Sequence, residues 1–348
     1  MLKPEKLNEN DTIAIVSLSS GIAGDKEFNH RYNIGKERLE KVFNLKTITL
    51  TNALKGSKIL NENPELRAKD LMDAFKNKNI KAIISNIGGD DTIRLLPYID
   101  YEVIKNNPKI FIGYSDTTIN HFVMYKAGLV SYYGPSVMAE MAENVKMHEY
   151  TKNHFKNILF KNSKNYQIKP SPIWTSISLS WLDSKNNNIE REMTKDEKGF
   201  EVLNGKGKFE GILIGGCIDT FHMFIGSDIW PRKDEWKNKI LFLETSEDTP
   251  EPSFIAQILR NPLMQECLEN IKGLLIGKPY NEKYYEEYKD VYLNVIKKEY
   301  HLENLPIIYN YNFGHTAPMC IMPIGIKVEV NCENGIIEFK ESATKEEK

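Results

Sequence analysis

The sequence predicts an α/β protein of two units: an N-terminal Rossmann/flavodoxin-like parallel-sheet domain, then a C-terminal α/β domain that ends in an antiparallel hairpin. Three observations carry this expectation. Apolar runs of four to six residues recur with helical patterns between them, as parallel strands with crossover helices do. The theme is interrupted by polar sequence, Lys- and Asn-rich from about 144 to 172 and polar again from 183 to 209. Near the end, IKVEVNCENGIIEF alternates apolar and polar residues around an Asn-Gly turn.

Taken in order, the first-half strands are TIAIVSL (12–18), KTITL (46–50), AIISNI (82–87) and KIFIGY (109–114). Between the second and third, Asn63 is a good helix N-cap with Pro64 at the first helical position, and Leu66, Leu71, Met72 and Phe75 supply one apolar face. A boundary falls near 160–175, which divides the chain into domains 1–165 and 166–348. Beyond it GILIGG (211–216), ILFLE (240–244), GLLIG (273–277) and PIIYN (306–310) read as buried strands. The tail KESATKEEK is expected to fray.

The 348 residues are 41% hydrophobic and 27% charged, enough for a substantial core. With 46 basic and 48 acidic side chains the formal charge is −2, so neither a nucleic-acid footprint nor a charge-chosen partner is visible. Cys217, Cys267, Cys320 and Cys332 form no CxxC pair, which fits neither a zinc site nor a small disulfide framework and suggests a reduced, cytoplasmic setting. With no stretch of 18 apolar residues, no membrane span is expected. No metal and no cofactor are called for.

The chemistry is expected at strand ends. IFIGYSDTTINHF (110–122) runs a strand straight into a helix, Asp116 to Ala127 closed by Gly128, so Ser115 sits on a sharp corner at the sheet's carboxyl edge. That is the geometry of a nucleophile elbow, with the Asp116 N–H as one oxyanion donor. The alternative is that Ser115 is only an N-cap. A nucleophilic serine needs a base and the base an orienting group. His30, His148, His154 and His301 lie in polar sequence, and His121 and His222 on helical faces where a structural role suits them. His315, in NYNFGHTAPMC, follows the strand PIIYN on a loop where α/β proteins carry function. Glu244 ends the strand in ILFLETSEDTPEP, as orienter of a histidine or as cap of the helix near Pro252. Thr249 or Asp248 would fill the capping role better, and Glu247, Asp248 and Glu251 read as a solvated acidic turn. Gly88-Gly89 allows backbone amides to approach a ligand, as a second oxyanion donor or as a phosphate loop, though GxGxxG and the Walker lysine are missing.

At these residues the sequence resembles the LD-carboxypeptidase family of serine peptidases, and within it the branch of microcin C self-immunity proteins. The resemblance rests on GGDDTIRLLPYID, FIGYSDTT, YYGPS, GGCID, LFLETSE and NFGHT, in that order. It implies Ser115 as nucleophile, His315 as general base, Glu244 as its orienter, and the N–H groups of Asp116 and Gly89 as the oxyanion hole. It also implies a homodimer. In the substrate-binding position where murein-trimming members carry GGN, this chain has Cys217, which counts against a plain LD-carboxypeptidase. The loop SPIWTSISLSWLDS (171–184) resembles the aromatic loop of the immunity-type members. Trp181, or else Trp174, would stack on a nucleotide base unless it packs between domains.

The function these residues point to is amide hydrolysis of a peptidyl- or aminoacyl-nucleotide of the microcin C type. Release of D-Ala from a murein tetrapeptide by the same triad is the second reading. A non-catalytic ligand-binding protein is the third, and it predicts that Ser115, Glu244 and His315 do not converge.

Overall fold

Two sheets send the carboxyl ends of parallel strands to a common cleft. The computed structural model describes residues 1–345. Six strands form the first sheet, in the spatial order Met322–Ile324, Ser131–Tyr133, Ile110–Gly113, Ile80–Ser85, Thr12–Val16 and Lys46–Thr49. All neighbours are parallel except the first pair, where a strand from the far end of the chain returns to run antiparallel to Ser131–Tyr133. The second sheet is mixed and eight-stranded. Its parallel centre is Lys208–Cys217, Lys239–Glu244, Gly273–Gly277 and Ile307–Tyr311. Lys327–Asn331 and Ile337–Phe339 form the expected antiparallel hairpin beside it, and Gln167–Ile168 adds an edge strand.

The α/β class and both kinds of sheet follow from local pattern. Central strands such as Ile110–Gly113 and Gly273–Gly277 are buried throughout, which is why they read as continuous apolar runs. Strand bounds shift by a few residues: Thr12–Val16 stops two residues before the apolar pattern does, and Ile80–Ser85 begins two before it.

Some local expectations are corrected. The helix Pro64–Lys76 begins where expected, but a short helix, Ser57–Glu62, runs into it, so Asn63 Nδ2 donates back to the Ile59 carbonyl at 2.9 Å and caps nothing. The helix Pro252–Leu259 has Glu251 at its N-cap without a side-chain bond, not Thr249 or Asp248. The tail does not fray as far as 345: Ser342, Ala343 and Thr344 are buried, and Tyr132 Oη donates to the Ala343 carbonyl at 2.7 Å. Residues 346–348 lie outside the described part. His154 is buried against Tyr166 Oη despite its polar sequence, and His222 is exposed. His121 is wholly buried between Ser131 Oγ and the Gly113 carbonyl, a structural role. Among the described residues no helix is long and apolar enough to cross a membrane.

Candidate active site

Ser115 stands on a corner forced by its neighbours. The strand Ile110–Gly113 is followed by extended Tyr114, then Ser115 with φ +62°, a single 3₁₀ turn Ser115–Thr117, and the helix Thr118–Lys126. A left-handed conformation in a residue with a Cβ costs about 1–3 kcal/mol and persists only where the surroundings impose it. Here Ser115 N–H donates to Tyr133 Oη at 3.1 Å, and the Ser115 carbonyl accepts from Thr118 Oγ1 at 2.6 Å. The N-cap alternative is not realised, since the helix N-cap is Thr117. Gly88 lies against the serine: a Cβ there would sit 2.8 Å from Ser115 Oγ and 3.4 Å from Asp116 N, so only glycine leaves the hydroxyl its space.

Glu244 and His315 come from the second sheet, at the carboxyl ends of Lys239–Glu244 and Ile307–Tyr311. Glu244 is 1% exposed and shares its oxygens between two partners. Oε2 meets His315 Nδ1 at 2.8 Å, and Oε1 accepts a short hydrogen bond from Tyr133 Oη. Tyr133 therefore links the serine's own backbone to the carboxylate that orients the histidine. His315 Nε2, the nitrogen a serine proton would go to, is held by Glu247 Oε2 at 3.0 Å. Glu247 was expected in a solvated acidic turn. Its side chain is indeed 60% exposed, but its carboxylate reaches back into the site because the chain reverses straight after Glu244. Burial by itself would lower the basicity of His315. The Glu244 carboxylate, then Glu247 and Asp219, outweigh it and raise the pKa to about 9.

Ser115, His315, Gly89, Cys217 and Trp181 all line one open cleft of about 740 Å³, with a smaller recess of about 150 Å³ beside it. Glu244 lies just beneath, buried. A non-catalytic binding protein predicts no such convergence. The Asp116 side chain faces inward, where Oδ2 accepts from Ser19 Oγ at 2.5 Å and the Thr92 N–H at 2.9 Å. Cys217 is buried, and desolvation pushes its thiol well above the ordinary range, so it is no thiolate nucleophile. Its Sγ lies within 4.8 Å of ligand atoms of Glu244 and His315, but both Glu244 oxygens are already taken by Tyr133 and His315. The Cys217 N–H donates to Thr118 Oγ1 at 2.9 Å, across from the elbow, and Gly216 allows this approach: a Cβ there would lie 2.5 Å from Thr118.

The two tryptophans part company. Trp181 is half-buried beneath the Arg31 guanidinium, 4.8 Å from the ring centroid, and faces both cavities. Trp174 is 8% exposed, lies under Lys278 and lines neither cavity. Three residues had no role assigned from sequence. All three lay within quoted motifs, Tyr133 in YYGPS, Asp219 in GGCID and Glu247 in LFLETSE. Asp219 Oδ2 accepts from the Ser246 N–H at 3.0 Å and from its hydroxyl, which pins the turn that carries Glu247.

Residues 13–134 match the LD-carboxypeptidase N-terminal domain and residues 210–330 its C-terminal domain. An MccF-like protein from Streptococcus pneumoniae, solved in complex with AMP, superposes with a TM-score of 0.87 at 35% identity, covering 95% of this chain and 98% of that one. A putative carboxypeptidase of Treponema pallidum is 30% identical over 272 residues, 78% of this chain and 76% of its own. The microcin C7 self-immunity protein MccF of Escherichia coli is 29% identical over 287 residues, 81% of this chain and 80% of its own. MccF solved in complex with aspartyl sulfamoyl adenosine superposes with a TM-score of 0.83 at 26% identity, covering 99% of this chain and all of that one. An elbow serine beside a buried Glu–His pair, in a chain matched along both halves, is what a serine peptidase of this kind requires, and the chain belongs to the LD-carboxypeptidase family, in its microcin C self-immunity branch.

Proposed function

We propose that this enzyme hydrolyses the amide joining an amino acid or peptide to a modified nucleotide, with Ser115, His315 and Glu244 as its triad. His315 Nε2 takes the Ser115 proton as Oγ attacks the carbonyl carbon. The N–H groups of Asp116 and Gly89 receive the oxyanion, each such donor being worth about 3–4 kcal/mol in the transition state. The C–N bond then breaks, His315 protonates the departing amine, and an ester to Ser115 remains. Water, deprotonated by the same histidine, attacks the ester and releases the acyl group as a carboxylate. Glu244 holds Nδ1–H throughout and stabilises the imidazolium.

One observation carries this reading: the Glu244–His315 contact of 2.8 Å at the mouth of the cleft that holds Ser115 at φ +62°. The nucleotide rests on less, namely Trp181 at the cleft wall and the AMP and aspartyl sulfamoyl adenosine bound by related proteins. L,D-cleavage of a murein peptide is the second reading. It is favoured by the name of the family, and by Arg31 and Arg191 in the side recess, which could meet a terminal carboxylate.

Chromatography of an alanyl sulfamoyl adenosine and a murein tetrapeptide, each with wild type and Ser115→Ala, separates the readings. Serine-dependent release of sulfamoyl adenosine is expected. Release of D-alanine alone would establish the second reading instead.

A further inference from the structure

The charge lining the nucleophile's cleft is one-sided. Asp90, Asp219, Glu247 and Asp248 all face it, and among its described lining residues there is no lysine and no arginine. Asp219 is constrained: Oδ2 is occupied by Ser246, while Oδ1 is buried without a hydrogen-bond partner. Glu247 is the member of the set that touches the histidine. Its side chain is 60% exposed, it sits on the turn after Glu244, and its carboxylate rests on His315 Nε2 at 3.0 Å.

That contact has to break before chemistry. Nε2 cannot take the serine proton while its own proton is donated to Glu247, and the two arginines of the adjoining recess, which Glu247 also borders, are already engaged, Arg191 by Glu143 and Arg31 by the Met138 carbonyl, Asn144 and Asn187. The contact is released when a cation arrives with the substrate, or when the carboxylate goes into water. An acyl residue with a positively charged side chain supplies the first route and also meets Asp219 and Asp248. One with a carboxylate meets four like charges.

We infer that Glu247 is the specificity-determining residue of the cleft, exchanging His315 for a cationic side chain on the acyl residue, so that lysyl-type acyl groups are taken in preference to aspartyl or glutamyl ones. The inference rests on the amidase reading for its substrate class, but its recognition step can be measured without turnover. It sets this chain apart from the relative that binds aspartyl sulfamoyl adenosine.

Calorimetric titration of lysyl, alanyl and glutamyl sulfamoyl adenosine into Ser115→Ala, with and without Glu247→Lys, is the test. Lysyl should bind at least about tenfold more tightly than glutamyl, and Glu247→Lys should reverse the order. Equal or tighter binding of glutamyl in the parent, or an order unchanged by Glu247→Lys, overturns the inference. Wild-type turnover of the alanyl and lysyl analogues, run in parallel, tests the amidase reading separately. Absence of turnover of both the alanyl and the lysyl analogue would sink that reading whatever the order of binding.

Discussion

As the proposed general base, His315 should decide how the rate responds to pH. With its pKa raised to about 9 against an ordinary value near 6.5, the ring is an imidazolium at neutral pH in the free enzyme. The base form is lost as pH falls through about 9, so kcat/KM should climb across neutrality and level off only above that. Glu247→Gln removes one of the carboxylates holding the proton, and should move this limb to lower pH in a profile measured from pH 6 to 10. The linkage to stability has the opposite sense. A raised folded-state pKa favours the fold fully below about 6.5, and that contribution fades as pH rises through about 9. A limb unmoved in Glu247→Gln would mean that Glu247 does not govern His315. Tyr133 gives a second prediction at this scale. Tyr133→Phe leaves the Ser115 N–H and one buried Glu244 oxygen without their shared partner. Such losses cost about 1–3 kcal/mol each. Urea denaturation should show a drop of that size, together with a fall in kcat larger than any rise in KM.

At the scale of elements, the segment from 170 to 199 carries Trp181 and is tied down at several places, among them a backbone bridge from Thr175 to Ala317 and a contact of 2.8 Å between His30 Nε2 and the Trp181 carbonyl. The small ladder of Ile173–Trp174 with Thr194–Lys195 is held by the buried Lys278–Asp196 pair, 3.3 Å apart. Nearer the cleft, Arg191 Nε donates to Glu143 Oε1 at 2.9 Å and Asn144 Nδ2 to the Asn186 carbonyl at 2.9 Å. Trp181 is thus presented on a braced loop. If it stacks on a base, Trp181→Ala should raise the KM for an aminoacyl nucleotide by about five- to 150-fold, as loss of about 1–3 kcal/mol of stacking requires, and leave the melting temperature nearly unchanged. Trp174→Ala should do the reverse, since that ring is packed under Lys278. Equal effects of both on KM would remove the distinction. At the elbow, Gly216→Ala drives a methyl group against Thr118. Thermal melts should show a loss of about 1–3 kcal/mol from overpacking, with activity falling further because Thr118 also holds the Ser115 carbonyl.

Over the whole molecule, the strand Met322–Ile324 and, after the hairpin, residues 343–345 return from the second half to the first. Tyr133–Glu244 and Thr118–Cys217 then join the two sheets directly at the cleft. The groups proposed as catalytic are therefore set by packing between halves of the chain. The alternation of strands and helices, the hairpin at Asn334-Gly335, the corner at Ser115 and the strand-end positions of Glu244 and His315 were legible in the sequence alone. Each follows from periodicity or turn chemistry within a dozen residues, and the backbone obeys those rules locally. Only the tertiary structure decided that Trp181 faces the cleft while Trp174 turns inward, that Tyr133 joins the serine to its acid, and that Glu247 takes His315 Nε2 instead of water. Those contacts link residues 18 to 111 positions apart and depend on how two sheets meet, which no local pattern encodes.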